Sequence, residues 1–408
     1  MSRESTRRGQ LEFHLLVLVT LGLVAFGLVM VYSASSARAA VAADDPSYFL
    51  KRQTVYAVLG LVALAVLSRV DFRLLRRAGG PLLVASFALL LAVLVLGTAV
   101  NGARRWLSLG IVDFQPSELA KLALALWLAA LLVRRPAPRS LAELGRPIGL
   151  VVLAACALIL VEPDLGTATT ICVMVAALLV VAGTPLRALA GAGAIGITLV
   201  VAAIWLEPYR RARFFAFLDP WADPDDTGFQ TIQAMIALGS GGLFGVGLGE
   251  SVQKIYYLPE ATTDMIFAIV GEELGLLGTF GVIAAFVVFG YAGFNVALRC
   301  RDPFGKLLAA GLTALICGQA LVNLSAVLGL APLTGIPLPF VSYGGSSLVV
   351  ALGAVGILLN IAVNGSTVEA TSRMPDRGRR NSRSRSARAR RGRSAQAPRR
   401  QRDVRRLA

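Results

Sequence analysis

The chain has 408 residues, 56% of them hydrophobic and 16% charged, with mean hydropathy +0.69. That is too apolar for a soluble protein of this size, and it predicts a multi-spanning membrane protein. The one histidine, His14, excludes a His-based triad, a His-rich metal site or a His general base elsewhere.

Apolar runs of about 17–25 residues predict an all-α, polytopic architecture. Ten transmembrane helices are expected over 12–33, 52–70, 80–98, 117–134, 147–162, 165–183, 186–206, 264–298, 305–326 and 343–364. Residues 1–11 form a basic N-terminal tail. The SARAA that follows the first span looks like a cleavage site, but the apolar core is longer than a signal-peptide core, which predicts an uncleaved span. The eighth span is long enough to kink, with Gly271 and Gly275 as candidates. Cys156, Cys172, Cys300 and Cys317 lack metal-ligand spacing and read as packing residues.

Lys and Arg set the orientation. With the N-terminus in the cytoplasm, the inward segments RVDFRLLRRAGG (69–80), VRRPAPRSLAELGR (133–146), TPLR (184–187) and LRCRDPFGK (298–306) are all basic. The outward ones, such as VAADDPS and LVEPDLG, are neutral or acidic. NGARRW (101–106) and PYRRARFF (208–215) break the rule by placing arginines outside, so another role is expected to retain them. A long outer loop, 207–263, carries WADPDDTGFQ and the glycine run GSGGLFGVGLGES, and it is predicted to be ordered and functional. Residues 365–408 are Arg- and Ser-rich and predict a disordered cytoplasmic tail that anchors topology at anionic lipid. Nucleic-acid binding has no supporting fold around that tail. The chain has no internal repeat of fixed period, which argues against a repeat-built transporter.

Three constellations carry candidate chemistry. In KIYYLPEATTDMIFAIVGEELG (254–275), Glu260 and Asp264 precede the eighth span, and Glu272 and Glu273 lie about 12–14 Å further in. Intramembrane carboxylates border a cavity or pair with a cation or a neighbouring helix. Asp264 suits either a helix cap or a reactive carboxylate. In NGARRWLSLGIVDFQPSELAK (101–121), Pro116–Ser117–Glu118 starts a helix, capped by Ser117 or Asp113. Lys121 follows Glu118 by three residues, either as a local ion pair or as a cation aimed into an outer cavity. Arg104, Arg105 and Trp106 beside it suit a phosphate bearing a sugar or lipid. In PLTGIPLPFVSYGGSS (332–347), prolines and glycines impose irregular backbone. Ser342, Tyr343, Ser346 and Ser347 there either donate to a polar ligand or cap the next helix. EPDLGT (162–167) reads as a tight, capped turn.

NGARRW, FQPSELAK, EPDLGT, YLPEATTDMIFAIVGEELG and PLTGIPLPFVSYGGSS occur in that order. Through them the chain resembles the shape, elongation, division and sporulation (SEDS) family of membrane glycosyltransferases over residues 12–364. DPWADP, VQKIYYLPEA and GEELG look like its cell-division branch more than its elongation branch. The resemblance implies polymerisation of lipid II into glycan strands on the outer face of the bacterial cytoplasmic membrane, at the septum. It implies that Asp264 matches the family's essential aspartate and Trp106 its functionally important tryptophan, and that Arg105 and Lys121 match basic positions of the central cavity. Thr262 departs from the pattern, since relatives commonly carry His there.

The expected reaction is transfer to the 4-hydroxyl of an acceptor sugar with inversion, expelling a polyprenyl pyrophosphate. Asp264 is then the candidate base. Arg104, Arg105, Lys121, Lys254, Arg210, Arg211 and Arg213 are candidate anion ligands, with Glu118, Glu260, Ser342, Tyr343 and Ser346 around the substrate. The chemistry admits a divalent cation, Mg or Mn, with no organic cofactor. Expected partners are lipid II, membrane lipids, a class B penicillin-binding protein and other division proteins, with no nucleic acid. A lipid II flippase and a non-catalytic scaffold are the competing readings.

Overall fold

The computed structural model describes residues 3–365 apart from 43–44, 101–102, 109, 111 and 256. The expectations for the Arg-rich tail beyond 365, and for Asn101 and Gly102, lie outside the described residues. Helices α1 (Arg3–Ala42), α2 (Tyr48–Arg69) and α3 (Phe72–Leu96) lead to three short strands, β1 (Thr98–Val100), β2 (Ala103–Ser108) and β3 (Asp113–Phe114). Next come α4 (Pro116–Arg134) and α5 (Leu141–Leu144), which runs through a π turn into α6 (Leu150–Val161), then α7 (Leu165–Ala182) and α8 (Leu186–Leu206). The remainder is α9 (Pro208–Leu218), α10 (Phe229–Ser240), α11 (Ile266–Arg299), α12 (Pro303–Val327) and α13 (Ser346–Asn364).

Among the described residues, 10 helical stretches are long and apolar enough to cross a membrane, which is the predicted number. The protein is a multi-pass membrane protein. Helix starts follow local chemistry. Asp71 accepts the Arg73 N–H at 2.9 Å, which starts the third span at Phe72 rather than near residue 80. Asp302 accepts both Phe304 and Gly305 N–H at 2.9 Å, with Pro303 in the first turn. The small antiparallel sheet β1-β2-β3 departs from a purely helical expectation. It was illegible because its strands are too short to show alternation.

Most of α4, α12 and α13 is buried, so these three form the centre of the bundle, whereas none of the apolar stretch of α8 is buried. Because spans alternate in direction, the connections after odd-numbered spans share one face. That face collects the sheet, the 162–164 turn, the 207–265 segment and the 328–345 segment.

The segment between α8 and α11 does more than cover that face. Its helix α10 packs along α11, and the glycine-rich turn after it hooks into a break in α11 at Gly275 (φ 65°). There the Glu272 carbonyl accepts the Val246 N–H at 2.9 Å and the Glu273 carbonyl accepts the Gly247 N–H at 3.1 Å. In return, Leu276 N–H donates to the Gly242 carbonyl at 3.0 Å. The turn thereby satisfies backbone groups that the break releases, a requirement inside a bilayer. A Cβ at Gly275 would collide with the Gly245 nitrogen, which fixes glycine at the junction.

Candidate active site

Asp264 lies in the turn that precedes α11 and is 8% exposed. It does not cap the helix: α11 begins after Met265 without a side-chain cap bond. Its carboxylate receives the Thr263 hydroxyl at a long 3.4 Å, and Thr263 bonds more closely to a Glu260 carboxylate oxygen at 2.8 Å. Burial, reinforced by the nearby Glu260 carboxylate, raises the Asp264 pKa to about 7, with Arg213 opposing. That range suits a general base near neutral pH.

The 332–347 segment is the polar hub of the site. Asn323 on α12 donates to the carbonyls of both Asp264 and Ile336 at 2.8 Å, tying the Asp264 turn to this segment. Gln319, one helical turn away, donates to the Pro337 carbonyl at 3.0 Å. Ser342 Oγ accepts the Leu338 N–H at 2.8 Å, and Ser346 Oγ accepts the Gln115 N–H at 3.1 Å. Tyr343 N–H donates to the Thr262 carbonyl at 2.9 Å, and burial pushes its phenol up to about 12. The hub therefore places Asp264, and Ser342 and Ser346 act first as its internal struts.

Lys121 is buried and donates to Glu118 at 2.8 Å and to Gln319 at 2.7 Å, so the local ion pair is the arrangement found. Through Gln319 it supports the hub. Arg105, on β2, donates to the carbonyls of Glu162 and Pro163 at 2.6 and 2.8 Å and clamps the EPDLGT turn. Asp164 caps α7, accepting the Thr167 N–H at 2.8 Å. Trp106, half-buried, faces Thr98 across the sheet, and Arg104 donates to the Val95 carbonyl at 3.3 Å. Arg210 bridges the Leu160 and Ala203 carbonyls at 2.7 and 3.3 Å, joining two helix ends, while Arg211 is exposed.

Lys254 contacts Glu273 at 2.8 Å, the Gly249 carbonyl at 2.6 Å and Ser33 Oγ at 3.3 Å, which commits all three ammonium protons. Glu272 accepts from the Ser251 hydroxyl and from the Val252 N–H at 3.0 Å. Both glutamates thus pin the returning 251–254 stretch to α11. Lys254 thus spends its donors within the fold, and Arg105 and Arg210 each hold two backbone carbonyls. Arg213 acts electrostatically on Asp264 and lines a cavity of about 510 Å³ with Asp226, Phe229, Gln230, Pro259 and Leu333.

Sequence reasoning passed over Gln319 and Asn323, whose signal was two amides four residues apart on one face of an apolar span. It also read Glu162 only as part of a turn. Glu162 is 1% exposed, and neither carboxylate oxygen has a hydrogen-bond partner among the described residues. Burial, and then the Asp164 charge, raise its pKa to about 8.

The model of the FtsW, RodA and SpoVE family, described as cell cycle proteins, matches residues 13–367. The chain belongs to this family. A Geobacter sulfurreducens relative named "Probable peptidoglycan glycosyltransferase FtsW" is 44% identical over 350 residues, 85% of this chain and 94% of the relative. Stage V sporulation protein E of Bacillus subtilis is 42% identical over 353 residues, 85% of this chain and 96% of its own. Among solved structures, a chain from work on the coordination of polymerization and crosslinking by a peptidoglycan synthase complex superposes with TM-score 0.71 at 35% identity. That likeness covers 86% of this chain and 97% of that one. The Thermus thermophilus rod shape determining protein RodA gives TM-score 0.63 at 32% identity, over 86% and 96%.

For this SEDS protein, no group of three or more His, Cys, Asp or Glu among the described residues is arranged to hold a metal ion. The neighbouring Glu260 and Asp264 carboxylates would offer oxygen ligands to a divalent cation carried on phosphate oxygens.

Proposed function

We propose that the chain is a peptidoglycan glycosyltransferase that joins lipid II units into glycan strands on the extracytoplasmic face of the cytoplasmic membrane, in the septal wall. The observation that carries the reading is Asp264: buried, short of hydrogen-bond donors, with its pKa brought to about 7 between Glu260 and Arg213. Asp264 takes the proton of the acceptor 4-hydroxyl as that oxygen attacks the anomeric carbon. The bond from that carbon to the pyrophosphate oxygen breaks, and the configuration inverts. The leaving group departs as a stable anion, so it needs charge stabilisation and no proton, and Arg213 in the larger cavity supplies it. Glu260 and Asp264 would hold a divalent cation, which would supply further charge neutralisation to the departing pyrophosphate.

Both termini are cytoplasmic in this reading, in keeping with the basic segments on that side. A single-pass class B penicillin-binding protein is the crosslinking partner, and the likeness to a peptidoglycan synthase complex supports that pairing. The test is polymerisation of lipid II by the purified chain, with and without such a partner. Asp264→Asn is expected to insert and fold while forming no polymer. Near-normal polymer from that variant would remove Asp264 as the base. Movement of lipid II between leaflets without longer glycan would replace polymerisation with transport.

A further inference from the structure

On the face that carries the Asp264 turn, α9 holds three arginines, Arg210, Arg211 and Arg213, where the charge asymmetry of the short loops disfavours them. The fold occupies two. Arg210 holds the Leu160 and Ala203 carbonyls, and Arg213 acts on Asp264 and lines the larger cavity. Arg211 is exposed, and among the described residues its guanidinium has no hydrogen-bond or ion-pair partner. A cation kept on the disfavoured side with no partner in the protein calls for an anion outside it.

The chain places α9 at the membrane boundary. None of the apolar stretch of α8 is buried in the protein, so lipid covers it. At Glu207 the backbone becomes extended (φ −117°, ψ 114°) and Pro208 opens α9, so the second helix leaves the line of the first. The two stay in touch: Trp205, near the end of α8, meets Phe215 edge-to-face at 6.1 Å between centroids. Phe215 is 51% exposed and Leu218 61%, and with Arg211 they follow the i, i+4, i+7 spacing of one helix face. The opposite face holds Ala212, Arg213, Ala216 and Phe217, which line the larger cavity. One side of α9 is thus committed to the protein. Its open side is apolar, carries a single cation and continues the lipid-facing surface of α8.

We propose that α9 is an interfacial helix that binds a phospholipid of the leaflet on the Asp264 side, with Phe215 and Leu218 against its acyl chains and Arg211 on its phosphate. Trp205 then sits at headgroup depth, where the amphipathic indole is favoured. The long stem of Arg211 lies along apolar surface while its fork of N–H donors reaches the phosphate oxygens. The occupant is lipid because the open face runs without interruption from a span that lipid already covers, and because its one charge complements a phosphate. The assignment is independent of the chemistry proposed for Asp264. It makes α9 the wall between the bilayer and the larger cavity, with lipid on one face and Arg213 on the other.

A photoreactive side chain on the open face reads its occupant directly. The full chain carrying Phe215→p-benzoylphenylalanine, irradiated in native membranes, should gain the mass of a phospholipid. An adduct to another protein would make this face a protein interface, and no adduct at all would leave it in water; either result would overturn the proposal. The same protein in nanodiscs of mixed phosphatidylglycerol and phosphatidylcholine should crosslink the anionic lipid preferentially. Adding Arg211→Ala should cut that preference about fivefold, the worth of one basic side chain near an anionic surface. The unfolding temperature should stay at the wild-type value, because the guanidinium supports nothing in the fold. Arg211→Lys should keep most of the preference. No preference in the Arg211 protein, or an equal preference in Arg211→Ala, would overturn the phosphate contact.

Discussion

Two carboxylate sites stand within ten residues of one another, at Asp264 and at Glu272–Glu273, and the fold treats them oppositely. The two glutamates lie inside a membrane helix and are saturated: Glu273 by Lys254 at 2.8 Å and by Ser33 at 2.7 Å, Glu272 by Ser251 and backbone N–H groups. Asp264 sits just outside that helix with one long hydroxyl contact, a backbone N–H of its own and a second carboxylate for company. Both sites are buried, so burial does not distinguish them. The supply of donors does. A buried carboxylate with partners holds chain together, whereas one short of partners keeps its basicity for chemistry.

The strongest way to break this contrast is to exchange the consequences of mutation. Asp264→Asn is expected to lower polymerisation by at least about 10²–10⁴-fold, the usual worth of a positioned base, with little loss of folded protein by size-exclusion chromatography. Glu273→Gln strands the Lys254 ammonium and is expected to cost about 3–5 kcal/mol of stability, read as a lower unfolding temperature. Residual activity per folded molecule should stay near wild type. Loss of polymer from a fully stable Glu273→Gln protein would erase the distinction.

A smaller effect sharpens the Asp264 side. Glu260→Gln removes the neighbouring charge that raises the Asp264 pKa, so the acid limb of the pH–rate profile, expected at about 7, should move to lower pH. Arg213→Ala should move it to higher pH; shifts in the same direction for both variants would contradict the assigned electrostatics. Stability gives the smallest signal. The Asp264 pKa is raised on folding from its ordinary 3.8 to about 7, so folding takes up a proton between those values. The stability linked to that proton is fully present below about 4 and is lost as pH rises through 7. The unfolding temperature of Asp264→Asn relative to wild type should therefore climb across this window, and a flat difference would contradict the shifted pKa.

Particular residues mark how far the sequence could be read. The span count follows from length and hydropathy, and the break at Gly275 was among the two glycines foreseen. Pairing of Glu118 with Lys121 was foreseen as one of two options, because a three-residue helical spacing brings the groups together. Lys254 with Glu273, and Arg105 with the 162–163 carbonyls, were not foreseen. Charge and position attract attention to such residues, but periodicity carries no information about partners 19 or 57 positions away.

From the sequence by itself came the membrane-spanning helical architecture, the prominence of Asp264 and the family resemblance, because these are written in hydropathy, short-range spacing and ordered motifs. Only the tertiary structure decided which charges are struts and which remain available. It showed that the glycine-rich turn completes α11, and that Pro259 lines two cavities. Those outcomes depend on donors and acceptors brought together from distant spans, and burial makes the presence or absence of each partner decisive.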